Sequence, residues 1–440
     1  MRTPLRITSL ALAVALAAPW ASASSGDVVM RTLGNGVTLV VAPNPWNRVV
    51  AISVVVDAGS KYDPPELRGL ARVTNEFLIC GTPRMPRAEL EETVDSGGIK
   101  IGTYTTEDVA EVYAVAAIDQ FDDALAVVAA LVTDPAFDER DLARAQNIVS
   151  EEQERSLSDP FDSCYAKLSE IMYGSHPYAF PPGGTRDGVA AVTRADVARF
   201  YSERYRGGGI VVAVVGNLDP DDAMRKLGEG FAACPSGRAR DADFPAPERA
   251  APAVFEFHRD VPQGYVTVGF PAPPVGSDDC AAVSVLGSVF GDSKARFGGM
   301  QEALVSDGAG VASVAGAVCA QRVESGRLVL FASTSAVDAA LDKINELVAG
   351  LRNRPVSRED LARAKGRLVG IRTLRGEPNL EQARRLATDV LTASGIGFTE
   401  KLLREVEAVD AADVQRAAEK YLADPVTVIL RPGRTSRTQL

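Results

Sequence analysis

Two periodicities of apolar and polar positions run along the chain. Gly36–Val41 and Val49–Val56 are short, β-branched and partly alternating, which predicts strands. Over residues 65–80 the apolar positions shift to helical spacing: Leu67, Leu70, Ala71, Thr74, Phe77 and Leu78 form one stripe, followed by Gly81. Ala110–Ala117 returns to a strand pattern, and Gln120–Val132 and Asp138–Ser156 return to helix. Thr193 is placed to cap a helix that runs to Tyr205, and Gly207–Gly209 turns into a strand at Ile210–Val215. Strands and helices do not alternate strictly. The pattern therefore predicts an α+β fold of mixed sheets plus helices, not a doubly wound sheet.

The pattern also repeats. Asp141-Leu-Ala-Arg-Ala145 recurs as Asp360-Leu-Ala-Arg-Ala364. Thr193-Arg-Ala-Asp-Val197 is echoed by Asp410-Ala-Ala-Asp-Val414, and Asp122-Asp-Ala-Leu125 by Asp338-Ala-Ala-Leu341. Such matches, in order and at nearly one offset, predict two homologous lobes. A chain of 440 residues is also too long for one core. The stretch from Pro235 to Pro252 is rich in Pro, Ala and charge without periodicity, which is linker composition. The expected order is a lobe over 27–234, a linker over 235–253 and a second lobe over 254–435.

Composition adds the compartment and excludes some partners. Arg2 and Arg6, the apolar run Leu10–Ala18 and the small-residue pattern Ala21-Ser22-Ala23 read as a signal peptide over residues 1–23. Export is expected, to the periplasm in a Gram-negative host. The chain holds 47 basic and 58 acidic residues, and the leader removes only Arg2 and Arg6, so the mature surface is acidic. Nucleic acid and anionic membrane are poor partners for such a surface. The five cysteines are widely spaced with no CxxC pair, and read as small buried apolar groups.

The polar face of the 65–80 helix carries the candidate chemistry. Arg72, Asn75 and Glu76 stand at i, i+3 and i+4, the spacing with which a helix presents two metal ligands and a base. Around them stand Gly69-Leu-Ala71 and Gly81-Thr82. Further along come Asp95-Ser-Gly-Gly98, Tyr104-Thr-Thr106, Asp134-Pro135 and His176-Pro-Tyr178. In this order and spacing the chain resembles the pitrilysin/insulinase family of zinc peptidases, which includes the mitochondrial processing peptidases and carries an inverted H-x-x-E-H motif. The resemblance implies that Arg72 stands where the first zinc-binding histidine belongs, Asn75 at the general base and Glu76 at the second histidine. The third ligand maps to Glu152, which is retained. It implies a substrate edge strand at Ile101, Gly102 and Thr103. The arginine and tyrosine of the second lobe that grip substrate map to Leu304 and Val311.

The expected consequence is a catalytically degenerate member with no catalytic residues and no zinc. The whole chain has two histidines, His176 and His258, and neither sits in a ligand-spaced pair. Two readings of Arg72 stand side by side. Its guanidinium replaces the metal's charge between Glu76 and Glu152, or it forms only a solvated i,i+4 pair worth about 0.2–0.5 kcal/mol. Three functions follow from the resemblance. The first is the inactive subunit of a peptide-degrading chamber, paired with an active zinc-peptidase paralogue. The second is a stand-alone, homodimeric peptide binder or scaffold, and the third is a zinc metalloendopeptidase.

Overall fold

The computed structural model describes residues 28–433, apart from 240, 241, 243, 245, 246, 248, 249, 293–297, 306–309, 393 and 394. The leader assigned to residues 1–23 and part of the linker lie outside the described residues. Among the described residues eleven strands form two mixed sheets. The first takes β1 (Val29–Thr32), β2 (Thr38–Pro43), β3 (Val49–Val56), β4 (Lys100–Thr105), β5 (Ala110–Ala117) and β6 (Ile210–Gly216), in the order β1-β2-β6-β3-β5-β4. The second takes β7 (Ala253–Arg259), β8 (Gly264–Ala272), β9 (Val314–Ala320), β10 (Gly326–Thr334) and β11 (Val426–Pro432), in the order β7-β11-β8-β10-β9. Leaving out β1, the two orders are the same. Among the described residues each sheet has one parallel pairing, and the two are equivalent, β2 with β6 and β7 with β11. The architecture is α+β in two lobes of like topology.

Continuous apolar runs such as Val49–Val56 follow from what covers the sheets. Every residue of β3 after Val49 is buried, on both faces. Val50, Ile52, Val54 and Val56 pack into the first lobe's own core with Leu70 and Phe77. The opposite face, with Val55, Val211, Ala213 and Val215, packs against Ala383, Leu386 and Ala387 of the helix Asn379–Leu391, which belongs to the second half. The exchange is reciprocal. The helix Pro160–Tyr173 of the first half lays Cys164, Leu168 and Met172 against Val329, Val428 and Leu430 of the second sheet. Close approach there depends on Gly269, where a Cβ would sit 2.7 Å from both Leu168 and Met172. A sheet buried on two sides cannot show polar/apolar alternation, so its strands read as solid β-branched segments.

Buried charges fix the two lobes to each other. Glu107, just beyond β4, accepts from Arg322 Nε at 2.8 Å and Arg327 Nη2 at 2.9 Å, both from the β9–β10 segment. The neighbouring Asp108 accepts from the Val323 amide at 3.1 Å and pairs with Lys61 at 3.3 Å, and it also bonds the Tyr178 hydroxyl. Burial alone would raise the Glu107 carboxyl, but Arg322 and Arg327 outweigh it and hold it below the usual carboxylate range. On the far side of the first sheet Arg384 reaches Glu111 at 2.6 Å.

The helix expected over 65–80 is shorter. A 3-10 turn spans Pro65–Leu67 and the α-helix runs Leu70–Leu78. Gly69, at φ 109°, breaks the chain direction between them. The buried Asp63 carboxyl group then accepts from the Gly69 amide at 2.7 Å and the Ala71 amide at 2.8 Å, so the helix begins there. The five cysteines are unpaired.

Candidate functional site

The helix Leu70–Leu78 lies between the edge strand β4 and the long helix Glu139–Ser158, and it is buried along its whole length. Its polar face therefore does not meet open solvent. Arg72 is fully engaged. Its Nη1 donates to Glu76 Oε1 at 2.6 Å and to Thr103 Oγ1 at 3.2 Å. Its Nη2 donates to Glu152 Oε1 at 3.0 Å and Oε2 at 2.9 Å, and its Nε to Glu152 Oε2 at 3.2 Å. Thr103 completes the ring by donating to Glu76. Side-chain exposure is 10% for Arg72 and 8% for Glu76, against 41% for Glu152. The guanidinium thus sits between the two acids rather than in a solvated i,i+4 pair. A buried charge is tolerable only with its hydrogen bonds made, and the planar fork of arginine satisfies two carboxylates at once.

Asn75 is buried and committed elsewhere. Its Nδ2 donates to the carbonyls of Tyr104 and Glu111, both at 3.0 Å, and to Thr105 Oγ1 at 3.1 Å. It clamps the helix to β4 and β5, and an amide cannot take a proton from water. Its Oδ1 is buried without a partner among the described residues.

These residues do not fit a zinc ion. Glu76 and Glu152 are two oxygen donors already occupied by a guanidinium, which stays charged and repels a dication. No cluster of three His, Cys, Asp or Glu stands together among the described residues. His176 is buried, with Nδ1 accepting from the Tyr178 amide at 3.1 Å, and burial lowers its proton affinity.

The structure brings Arg72, Glu76, Glu152 and Thr103 together and does not bring Leu304 or Val311 to them. Leu304 is fully buried in the second lobe's core, and Val311 packs against that same core. In β4, Ile101 packs on the first core and Thr103 joins the Arg72 ring. Gly102 faces the other way, where a Cβ would meet the Tyr113 hydroxyl at 2.4 Å. The ring opens on a cavity of ≈ 640 Å³ lined by β4, Glu152, Tyr165, Arg322 and Arg327. Those arginines, Glu107 and Asp63 escape a local reading of sequence. Arg327 meets Glu107 across 220 residues, and no spacing rule links them.

Comparison with known proteins agrees with this architecture. Residues 38–185 match the model of insulinase, peptidase family M16, and residues 191–368 match that of the peptidase M16 inactive domain. The chain belongs to peptidase family M16. A Bacillus subtilis protein named uncharacterized zinc protease YmxG is 24% identical over 412 residues, covering 91% of this chain and 97% of the relative. The crystal structure of a peptidase M16 inactive domain from Pseudomonas fluorescens superposes with a TM-score of 0.84 at 20% identity, covering 93% of this chain and 99% of that one. A chain of complex III from Candida albicans gives 0.78 at 17% identity, covering 92% and 95%. At these identities the solved structures show the fold alone. Within the M16 fold, the motif helix of this chain departs from H-x-x-E-H at all three positions, and the equivalent helix of the second lobe, Cys280–Phe290, carries no charged residue.

Proposed function

We propose that this chain is an exported, non-catalytic M16 subunit that pairs with an active, zinc-bearing paralogue and closes a peptide-degrading chamber with it. The observation that carries the reading is the place of Arg72. A fixed positive charge stands between Glu76 and Glu152, where the family would hold its cation, and Asn75 stands where it would hold its base. Such a site holds two inward-facing acids on one guanidinium and activates no water. The cavity between the lobes and the edge strand β4 remain available for an extended peptide, a mode in which backbone pairing gives affinity. Export rests on Arg2, Arg6 and the leader sequence.

Co-expression with an exported M16 chain carrying H-x-x-E-H tests this. The expected result is co-purification and a higher peptidase activity for the pair than for the partner alone. Failure to associate at micromolar concentration overturns it. A second reading, a self-assembled peptide binder, is favoured by a cavity that one chain builds from its own two lobes. It expects peptide binding by the purified chain without cleavage. Near-stoichiometric zinc in the purified protein would support the third reading, a zinc endopeptidase, against both.

A further inference from the structure

We infer that Arg322 forms a carboxylate subsite at the second-lobe end of the cavity, which takes an acidic side chain of an extended peptide. The inference rests on the reading that this cavity holds peptide, and it names a chemistry for that peptide.

Arg322 lies in the segment between β9 and β10 and lines the cavity with a third of its side chain exposed, 33%. Its Nε is spent on Glu107. Among the described residues its two terminal nitrogens make no hydrogen bond, so the outer edge of the fork faces the cavity. Arg327 behind it is different. It is 6% exposed and committed to Glu107 and the Tyr165 hydroxyl. Two guanidiniums thus share one carboxylate, Glu107, while the neighbouring Asp108 and Glu324 share Lys61. The oxygens of Asp108 are turned to Lys61, Tyr178 and the Val323 amide, so they leave the terminal nitrogens of Arg322 unbonded, and those donors are what the cluster offers the cavity.

The opposite end differs. Arg72 with Glu76 and Glu152 leaves one net negative charge, and the half-exposed Glu152 also lines the cavity. An anion entering the cavity finds unbonded donors at Arg322 and is turned away from Glu152 and Asp162, which also line it. Free guanidinium donors match a carboxylate with two parallel bonds. From Thr103 beside Arg72 to Glu107 beside Arg322 is four residues, at most about 14 Å of extended chain. A peptide laid along β4 would pass Arg72 and reach Arg322 about four residues away, past the strand's end at Thr105. The more stable antiparallel pairing puts that position on the N-terminal side of the residue facing Arg72, which favours an acidic side chain over a C-terminal carboxylate.

The test uses the full mature chain and neutral ten-residue peptides randomised among Ala, Ser, Val and Tyr, with a central Asp or Asn and a C-terminal acid or amide. Equilibrium binding is read by fluorescence anisotropy. The Asp probes should bind about tenfold tighter than the Asn probes. Arg322→Gln should bring that ratio to within about twofold, with Arg322→Lys between, since lysine keeps the charge but not the fork. The ratio is taken within each protein, so a variant with loosened lobes weakens both probes alike. A preference that follows the C-terminal acid instead supports the same subsite with the chain terminus as its source. Equal binding of all probes to the wild type, or a ratio that survives Arg322→Gln, overturns the subsite and leaves the peptide-holding reading standing. Binding of none of the probes overturns both.

Discussion

Arg72 donates three hydrogen bonds to Glu152, eighty residues further along the chain, and so ties the motif helix to the long helix Glu139–Ser158. Its other terminal nitrogen holds Glu76, and the three side chains form one unit. Arg72→Ala leaves Glu76 buried beside Thr103 without its cation. The expected destabilisation is about 2–4 kcal/mol, the lower part of the range reflecting the half-exposed Glu152. Chemical denaturation checks it. Arg72→Ala/Glu76→Ala should recover part of the loss, because the stranded acid goes with its partner.

The same geometry predicts that metal binding can be restored without activity. In Arg72→His/Glu76→His two imidazoles stand one helical turn apart, facing Glu152, and supply three ligands of the kind a zinc ion takes. Near-stoichiometric zinc by elemental analysis is the expected outcome. Peptide hydrolysis should stay absent, because Asn75 is untouched and its amide is held by the Tyr104 and Glu111 carbonyls. Hydrolysis by this variant would show that some other group supplies the base.

How much of this could be read from the chain is uneven, and the reasons are physical. Val49–Val56 and Ala110–Ala117 were legible as strands because burial on both faces demands β-branched and small apolar residues at nearly every position. The offset between the DLARA segments also foretold two like sheets. It carried a further message that only the structure shows. Pro160 and Asn379 are 219 positions apart, as are Asp141 and Asp360, and the helices they begin are traded between the lobes. The start of the motif helix at Leu70 was not legible, since Leu67 continues the apolar stripe. Asp63 and the positive φ of Gly69 decide it. In the site, Arg72, Glu76 and Glu152 were within reach through helical spacing and the family frame. Arg322 and Glu107 were not, because a contact between lobes has no periodicity to betray it.

Glu107 should be the keystone of the contact between the lobes. It is buried between Arg322 and Arg327, and Arg327 has little access to water. Glu107→Ala strands a buried guanidinium, for a loss of about 3–5 kcal/mol. Hydrogen exchange should rise first in the amides around Val323, which docks on the neighbouring Asp108. Since the Glu107 carboxyl is held below its ordinary range, its contribution is present above the unfolded pKa near 4 and fades as pH falls through the folded value. Acid should therefore loosen this seam in the wild type and have less effect on it in Glu107→Gln.

Asp63 predicts the opposite slope. Burial pushes its carboxyl from 3.8 up to about 7, against the Gly69 and Ala71 amides and the Arg68 charge. The folded state therefore holds the proton more tightly than the unfolded chain. The resulting stability is complete below about pH 4 and is lost as pH rises through 7, by an amount on the order of a few kcal/mol. Asp63→Asn cannot ionise and should lack this component. Measured as the difference in unfolding free energy between wild type and variant, the wild type should lose ground from pH 5 to pH 8. A difference that is flat over that window would mean that the two amide donors and the helix terminus keep Asp63 ionised throughout. The start of the motif helix, and with it the placing of Arg72, would then rest on a carboxylate and not on a carboxylic acid.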